Sequence, residues 1–364
     1  MCVDLDYFYA QCEEVRNPSI RGKPVVVCVF SGRTVESGAV STSNYVARNL
    51  GVKSGMPIAF AKKALSKYPE AVFLPMDNEY YDSISNQIMN NLRSKSSYFE
   101  QSSIDEAYLD ITNESSGDYS KAYNLGKEIK AEILENENLT CSVGIGPNKL
   151  VSKMAVDSTK PDGLILISPE EVQVFLESFP IGKLFGIGPK TEEKLRSLGI
   201  ETVGQLASFD RQVLAHHFGE KLGPQLQDSA RGIDERPVRE REVEQFSRIV
   251  TLKQNANSFN FQDVLRPLAK DLSDKLLAAN LLCESIGIIA ITSQLKTKTR
   301  VRKTGSLTSS ESEILDVASS LFQSFFSDEN LELGGVTIRR VGIRVASFVK
   351  NITDSKETNL RDFL

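Results

Sequence analysis

At 364 residues the chain is longer than one hydrophobic core of ordinary size organises, which implies several domains. Its 40% hydrophobic and 25% charged residues make an ordinary soluble composition, and no apolar run is long enough for a membrane span. The five cysteines (Cys2, Cys12, Cys28, Cys141, Cys283) are scattered without a C-x-x-C pair, and His216 and His217 are the only histidines; a disulfide framework and a zinc centre are excluded, and any catalytic metal must use oxygen ligands.

The opening, MCVDLDYFYA, has acids where a signal peptide needs a basic region, so a cytoplasmic location is expected. Residues 1–10 are predicted as a strand, with Val3 and Leu5 on one face and Asp4 and Asp6 on the other. VVVCVF (25–30) reads as a buried strand, and SGAVSTSNYVARNLGV begins small and polar, then turns helical and stops near Gly51. A long helix follows in PMDNEYYDSISNQIMNNLRS, with Tyr81, Ile84, Ile88 and Leu92 on one face. A strand, the acidic pair Asp105–Glu106 and AYLDI come next, then the helix DYSKAYNLGKEIKAEILENE, the strand LTCSVGIG and the helix NKLVSKMAVDS. Two helices on an antiparallel sheet suggest a ferredoxin-like α+β domain.

From about residue 166 the texture changes to short helices with glycine turns. LFGIGPKTEEKLRSLGI (184–200) resembles a helix-hairpin-helix, whose turn amides bind phosphate at Gly186 and Gly188. RGIDERPVREREVEQ (231–245) reads as a linker. Residues 246–346 then give strand, helix, two strands, helix, strand, a second small βαββαβ domain. That region has thirteen basic and ten acidic residues, a net of +3 in a chain of net charge −5, which leaves −8 elsewhere. Within it Lys296, Lys298, Arg300 and Arg302 alternate, which on a strand would place them on one face, and Arg340 and Arg344 share a face opposite Val341, Ile343 and Val345. Two basic strand faces suit a grip on duplex DNA that ignores sequence.

The pair Asp105–Glu106 poses a problem of its own. A regular strand cannot aim successive side chains at one spot, and like charges held close resist ionising together. The pair is therefore either a solvated turn or the neighbour of something positive. Five segments in order, VDLDYFYAQ, STSNYVARNLGVKSGMP, SSIDEAYLDI, CSVGIGPNKLVSKMA and KPDG, resemble the Y-family DNA polymerases, above all their archaeal DinB-type (polymerase IV) members, and the similarity runs over nearly the whole chain.

That resemblance implies a multidomain right-hand polymerase: palm at 1–10 and 75–165, fingers at 11–74, thumb at 166–230, linker at 231–245, little finger at 246–346 and a tail at 347–364. It implies low-fidelity, template-directed translesion synthesis from primer-template DNA and dNTPs, by a monomer. Asp4, Asp105 and Glu106, with the Leu5 carbonyl, would hold two Mg²⁺ ions, which stabilise the attacking and leaving oxygens. Tyr7, Thr42, Tyr45, Arg48 and Lys160 would bind the triphosphate, with Thr42, Tyr45 and Arg48 spaced along roughly one helical face. Tyr9 would be the steric gate against ribose, and Val29, Ala39 and Gly55 a small-residue roof over the nascent base pair. Asp6 carries no assigned role in the family pattern and is expected to be structural.

Two features depart from the family. Its members usually carry a few more residues before the first strand, so the chain is expected to start short, and the linker has acids where relatives are more purely basic. In the last residues, KETNLRDFL, Leu360, Phe363 and Leu364 resemble the end of a sliding-clamp-binding peptide, with Glu357 where glutamine is usual. A catalytically silent DNA-binding scaffold of the same fold, a nucleotide cyclase and a structural clamp partner remain as rivals at this point.

Overall fold

The computed structural model describes residues 1–240, 242–256, 261–327 and 337–351. The clamp-motif residues Leu360, Phe363 and Leu364 lie outside them. Two compact units emerge: Met1–Phe30 with Gly38–Arg241, and Ser31–Ser37 with the chain from Glu242 onward. No helix among the described residues is long and apolar enough to cross a membrane.

The first unit opens with β1 (Cys2–Leu5) and α1 (Phe8–Arg16). The strand is thus shorter than the 1–10 read from alternation. The chain leaves it at Asp6, and Tyr7 takes a left-handed conformation (φ 36°) that starts the helix. Next come β2 (Val25–Phe30), β3 (Gly38–Ser43), α2 (Tyr45–Asn49), α3 (Ile58–Ala64) and β4 (Val72–Pro75). Their three strands form a small sheet in the order β3-β2-β4. Its core is slight: Val26, Cys28, Val40, Ala47, Val52, Ile58, Ala61 and Leu65.

The larger sheet uses β5 (Tyr98–Gln101), β6 (Glu106–Asp110), β7 (Cys141–Ile145) and β8 (Leu164–Leu166) in the order β5-β6-β1-β7-β8. Its helices are α4 (Asn78–Ser94), α5 (Thr112–Ser115), α6 (Tyr119–Glu137) and α7 (Lys149–Thr159). Strand alternation divides the faces. Val3, Leu5, Ala107, Leu109, Val143 and Ile145 join one cluster with Ile88 and Leu92 of α4 and Ile129 and Ile133 of α6. Cys2, Tyr108 and Val156 meet on the other face, beneath α7. Gly144 permits that approach: a Cβ there would lie 2.3 Å from the Ser152 carbonyl oxygen and 2.6 Å from the Val156 nitrogen. The sheet core therefore forces α7 down onto the face that carries Asp4 and Glu106.

The helical segment adds α8 (Val172–Glu177), α9 (Pro189–Ser197), α10 (Val203–Ser208), α11 (Arg211–Phe218) and α12 (Leu222–Ala230). Its core takes in Leu150, Val151, Met154 and Ala155, so α7 is shared between the sheet and the helices. The start of the expected linker is ordered against the same unit. Asp234 accepts the Leu150 N–H at 3.1 Å, Asn148 donates to the Gly232 carbonyl at 2.7 Å, and Val238 packs beside Cys2 and Tyr108.

The second unit runs β9 (Gln245–Ala256), α13 (Phe261–Ala278), β10 (Leu281–Thr292), β11 (Thr297–Thr308), α14 (Glu311–Ser327) and β12 (Ile338–Lys350). This is the expected βαββαβ order. The four strands are antiparallel in the order β11-β10-β12-β9, with Ile286, Ile288, Ala290, Val341, Ile343 and Val345 turned to α13 and α14.

Candidate active site

The antiparallel register sets Asp4 directly opposite Glu106. Facing partners in a sheet project to the same side, so both carboxylates enter the space under α7. They are almost fully buried, at 5% and 8% exposure. From α7, Lys153 meets both: its Nζ lies 2.8 Å from an Asp4 oxygen, is ion-paired with Glu106, and reaches Asp157 at 3.1 Å. Lys160, just beyond α7, places a second ammonium 2.6 Å from Asp4. Burial alone would raise the Asp4 pKa, but Lys160 and Lys153 outweigh it and hold the carboxyl below its usual range. Burial alone would lower the Lys153 pKa, and Asp4 and Glu106 reverse that and raise it.

Asp105 resolves the problem of adjacent acids. It sits in the turn before β6, where alternation does not apply. Its carbonyl accepts the Leu5 N–H at 2.9 Å, which ties the turn to the end of β1, and its carboxylate accepts from Ser103 Oγ at 2.5 Å. The structure thus gathers Asp4 and Glu106 around one cation, with Asp105 one residue away and turned to Ser103. Among the described residues no three metal-ligating side chains are already drawn together. The donors are nevertheless carboxylate oxygens of high local negative charge, a set that fits a hard divalent cation.

Tyr9 leaves the first turn of α1 and stacks on Tyr81, with ring centroids 4.6 Å apart and planes at 29°. Its pKa is raised, chiefly by burial and next by the charge of Asp105. Phe8 is buried in the core. Tyr7 meets Tyr45 edge-on at 5.3 Å and donates to Glu14 at 3.3 Å. The Arg48 guanidinium lies 4.8 Å from the Tyr45 ring centroid, and its other nitrogens donate to the Ser43 carbonyl (2.8 Å) and to Thr42 Oγ1 (3.3 Å). Thr42 belongs to β3, so the single helical face read from its spacing does not exist. Strand and helix bring the three together because Asn44 caps α2 immediately after the strand. Asn44 also donates to Glu14 at 2.7 Å, which fixes α1 against α2.

Val29 and Ala39 are paired in β2 and β3, and the Gly55 N–H donates to the Val40 carbonyl at 2.8 Å, which brings Gly55 beside the strand that holds Ala39. Val29 is 52% exposed. Gly186 adopts φ 92° and Gly188 caps α9, with open space around both. In the second unit Lys298, Arg300 and Arg302 pair with Ala290, Ile288 and Ile286, so they stand on the helix-bearing face at the sheet edge. The Arg300 guanidinium sits over the Phe325 ring at 5.0 Å, and Arg302 reaches Ser320. Lys296 precedes the strand, in the turn whose Thr292 Oγ1 accepts its N–H. Arg340 and Arg344 lie on the open face, so the two basic sets project from opposite sides of the sheet.

Several site residues have no motif that would have announced them. Lys153 lies inside a quoted segment, yet reads from sequence as an ordinary exposed helix lysine. Glu14 and Asn44 are ordinary polar residues whose roles depend on contacts 30 residues apart.

Residues 3–157 match the impB/mucB/samB family, residues 182–234 match a thumb domain described for DNA polymerase-iota, and residues 243–360 match the impB/mucB/samB C-terminal domain. The chain is 43% identical over 347 residues to DNA polymerase IV of Nitrosopumilus maritimus, covering 94% of each chain. It is 43% identical over 369 residues to DNA polymerase IV of Methanosarcina acetivorans, covering 99% of this chain and 98% of the relative. Among solved structures, a Y-family DNA polymerase chimera matches with a TM-score of 0.87 at 37% identity, over 96% of this chain and 99% of the other. An insertion ternary complex of Dbh DNA polymerase matches at 0.70, with the same identity and coverage.

The buried ion pairs lead to one expectation. In Lys153→Met, Asp4 and Glu106 lose their shared counter-charge, and the metal-free protein should lose about 3–5 kcal/mol. Added Mg²⁺ should raise the melting temperature of the variant more than that of the wild type. Thermal melts with EDTA and with Mg²⁺ measure both; equal metal-induced shifts would refute the shared role.

Proposed function

The chain belongs to the Y family of DNA polymerases, in its DinB-type DNA polymerase IV branch, and on that basis we propose a reading of its reacting groups. It is a DNA-directed DNA polymerase of translesion synthesis, with palm, helix-hairpin-helix thumb and little-finger domains. Y-family polymerases depend on divalent metal. In this reading Asp4, Asp105, Glu106 and the Leu5 carbonyl hold two Mg²⁺ ions. When bound, these supply charge stabilisation for the attacking 3′-oxygen and the departing pyrophosphate.

The observation that carries the assignment is the Asp4–Glu106 register pair, with Asp105 beside it. The chain's own groups divide the remaining tasks. Lys160 and Lys153 hold the Asp4 carboxyl ionised, and Lys153 bridges Asp4 and Glu106. Thr42, Tyr45 and Arg48, buttressed by Tyr7 and Glu14, offer donors and a fixed guanidinium to the β and γ phosphates. Lys160 adds a second ammonium, held beside Asp4. Tyr9, braced by Tyr81, lies under the sugar, where a 2′-hydroxyl would meet its ring. Val29, Ala39 and Gly55 offer little surface above the nascent pair. Discrimination by fit is therefore weak, which suits bypass of damaged bases.

DNA is held outside this centre. The Gly186–Gly188 turn offers amides to the backbone at the thumb. On the little finger Arg340 and Arg344 stand on the sheet face away from the helices. Lys298, Arg300 and Arg302 contribute from the edge strand, and Lys296 from the turn before it. The enzyme works in the cytoplasm as a monomer, tethered by Leu360, Phe363 and Leu364 to a sliding clamp.

Primer extension tests the centre. Asp105→Ala or Glu106→Ala should reduce extension by more than about a hundredfold, with primer-template affinity retained. Activity near wild type in a folded variant would remove these acids from the reaction. For Tyr9→Ala, the ratio of dCTP to CTP incorporation efficiency should fall well below that of the wild type; an unchanged ratio would leave Tyr9 as a packing residue only. Deleting residues 356–364 should preserve clamp-free synthesis and abolish the lengthening of products by the clamp. Undiminished stimulation would place the tether elsewhere.

A further inference from the structure

Asp6 follows Asp4 by two residues, yet its carboxylate belongs to a different network. It is fully buried, at 0% exposure. One oxygen accepts from Ser142 Oγ at 2.8 Å. The other accepts from Thr140 Oγ1 at 2.8 Å and from the backbone N–H of Asp162 at 2.8 Å. Ser142 Oγ in turn accepts the Gly163 N–H at 3.2 Å. A buried carboxylate is costly unless hydrogen-bonded, and here three donors satisfy it.

Two of these donors belong to β7 or its approach and need only join two strand ends. The bond to Asp162 is different, because Asp162 lies on the loop that carries Lys160. That loop is fixed on every side. Asp162 sits at φ 55° and receives Lys130 Nζ at 2.6 Å, while the same ammonium holds the Cys141 carbonyl at 2.5 Å. Gly163 has no room for a side chain, since a Cβ would lie 2.3 Å from Thr159. The Lys160 ammonium emerges from this clamp 2.6 Å from Asp4.

We propose that Asp6 is a positioning residue of nucleotide transfer, which holds the 160–163 loop through the Asp162 N–H and so aims Lys160 at the triphosphate of the incoming nucleotide. The inference rests on the reading of Lys160 as a triphosphate ligand. Asp6→Asn is nearly isosteric but replaces one accepting oxygen with a donor. Turned to the Asp162 amide, its NH₂ opposes that donor; turned to Ser142, it competes with the Gly163 N–H for the hydroxyl oxygen, so either orientation weakens a bond of the loop while the strands stay paired.

Single-nucleotide incorporation by Asp6→Asn, Lys160→Ala and the double variant tests this, together with amide hydrogen exchange. Asp6→Asn should raise KM for dNTP about ten- to a hundredfold, with a smaller fall in kcat and unchanged primer-template affinity. Exchange should quicken at Asp162 and Gly163, with the amides of β1 and β7 as protected as in the wild type. Because Asp6 acts through Lys160, the double variant should be no worse than Lys160→Ala alone. Fully additive penalties, or loop amides as protected as in the wild type, would overturn this inference alone. A wild-type KM in Lys160→Ala would overturn the reading of Lys160, and this inference with it.

Discussion

The buried ammonium of Lys153 is the contact on which the reacting centre depends. Asp4 and Glu106 are placed side by side by strand register, and without a cation between them their repulsion would favour protonation of one or separation of the strands. The lysine can reach them only because α7 lies directly on the sheet, and α7 lies there because residue 144 has no side chain. The helix is fixed along its axis as well. Asn148 caps its first turn, and Asp234, nearly ninety residues away in sequence, takes a further free amide. Charge, packing and capping therefore converge on one side chain.

Around that centre the chain is built with unequal stiffness. The sheet that carries the acids is packed by two long helices on one face and a third on the other, and it is nearly continuous with the helical core beyond it. The small sheet that carries Val29 and Ala39 rests on eight buried residues. A polymerase that must accept distorted template bases benefits from this division. In the proposed reading the acids stand on the well-packed sheet, while Val29 and Ala39, and with them Thr42 and Arg48, belong to the small sheet and its helix.

The second unit shows how a basic strand can serve two purposes. Arg300 and Arg302 spread their stems over the edge of the helix layer, where Phe325 and Ser320 receive them. Arg340 and Arg344 stand on the opposite face, Arg344 paired with Gly287. In the proposed reading, cations on both sides of a four-stranded sheet would meet phosphate in contacts that carry no sequence information, as an enzyme that works on any template requires.

Much of this was legible in the sequence. The alternation in CVDL, the 3.6-residue period of Tyr81, Ile84, Ile88 and Leu92, and the βαββαβ order of the second unit all follow from local periodicity, which encodes which face is buried. The motif segments pointed to the family, which the comparisons show. What sequence could not decide was how separate segments meet. Alternation extended the first strand to residue 10, whereas the turn at Asp6 and Tyr7 ends it at Leu5 and sends Asp4 and Asp6 into different networks. Spacing placed Thr42 on a helix, yet it lies on β3, and the turn at the Asn44 cap brings Arg48 back to it. Parity put Arg300 and Arg344 each on a strand face, but which side of the sheet each face occupied depended on strand pairing across more than forty residues. Lys153 shows no sign in sequence of its burial, because the environment of a side chain is set by partners distant in the chain, and those partners meet only when the tertiary structure forms.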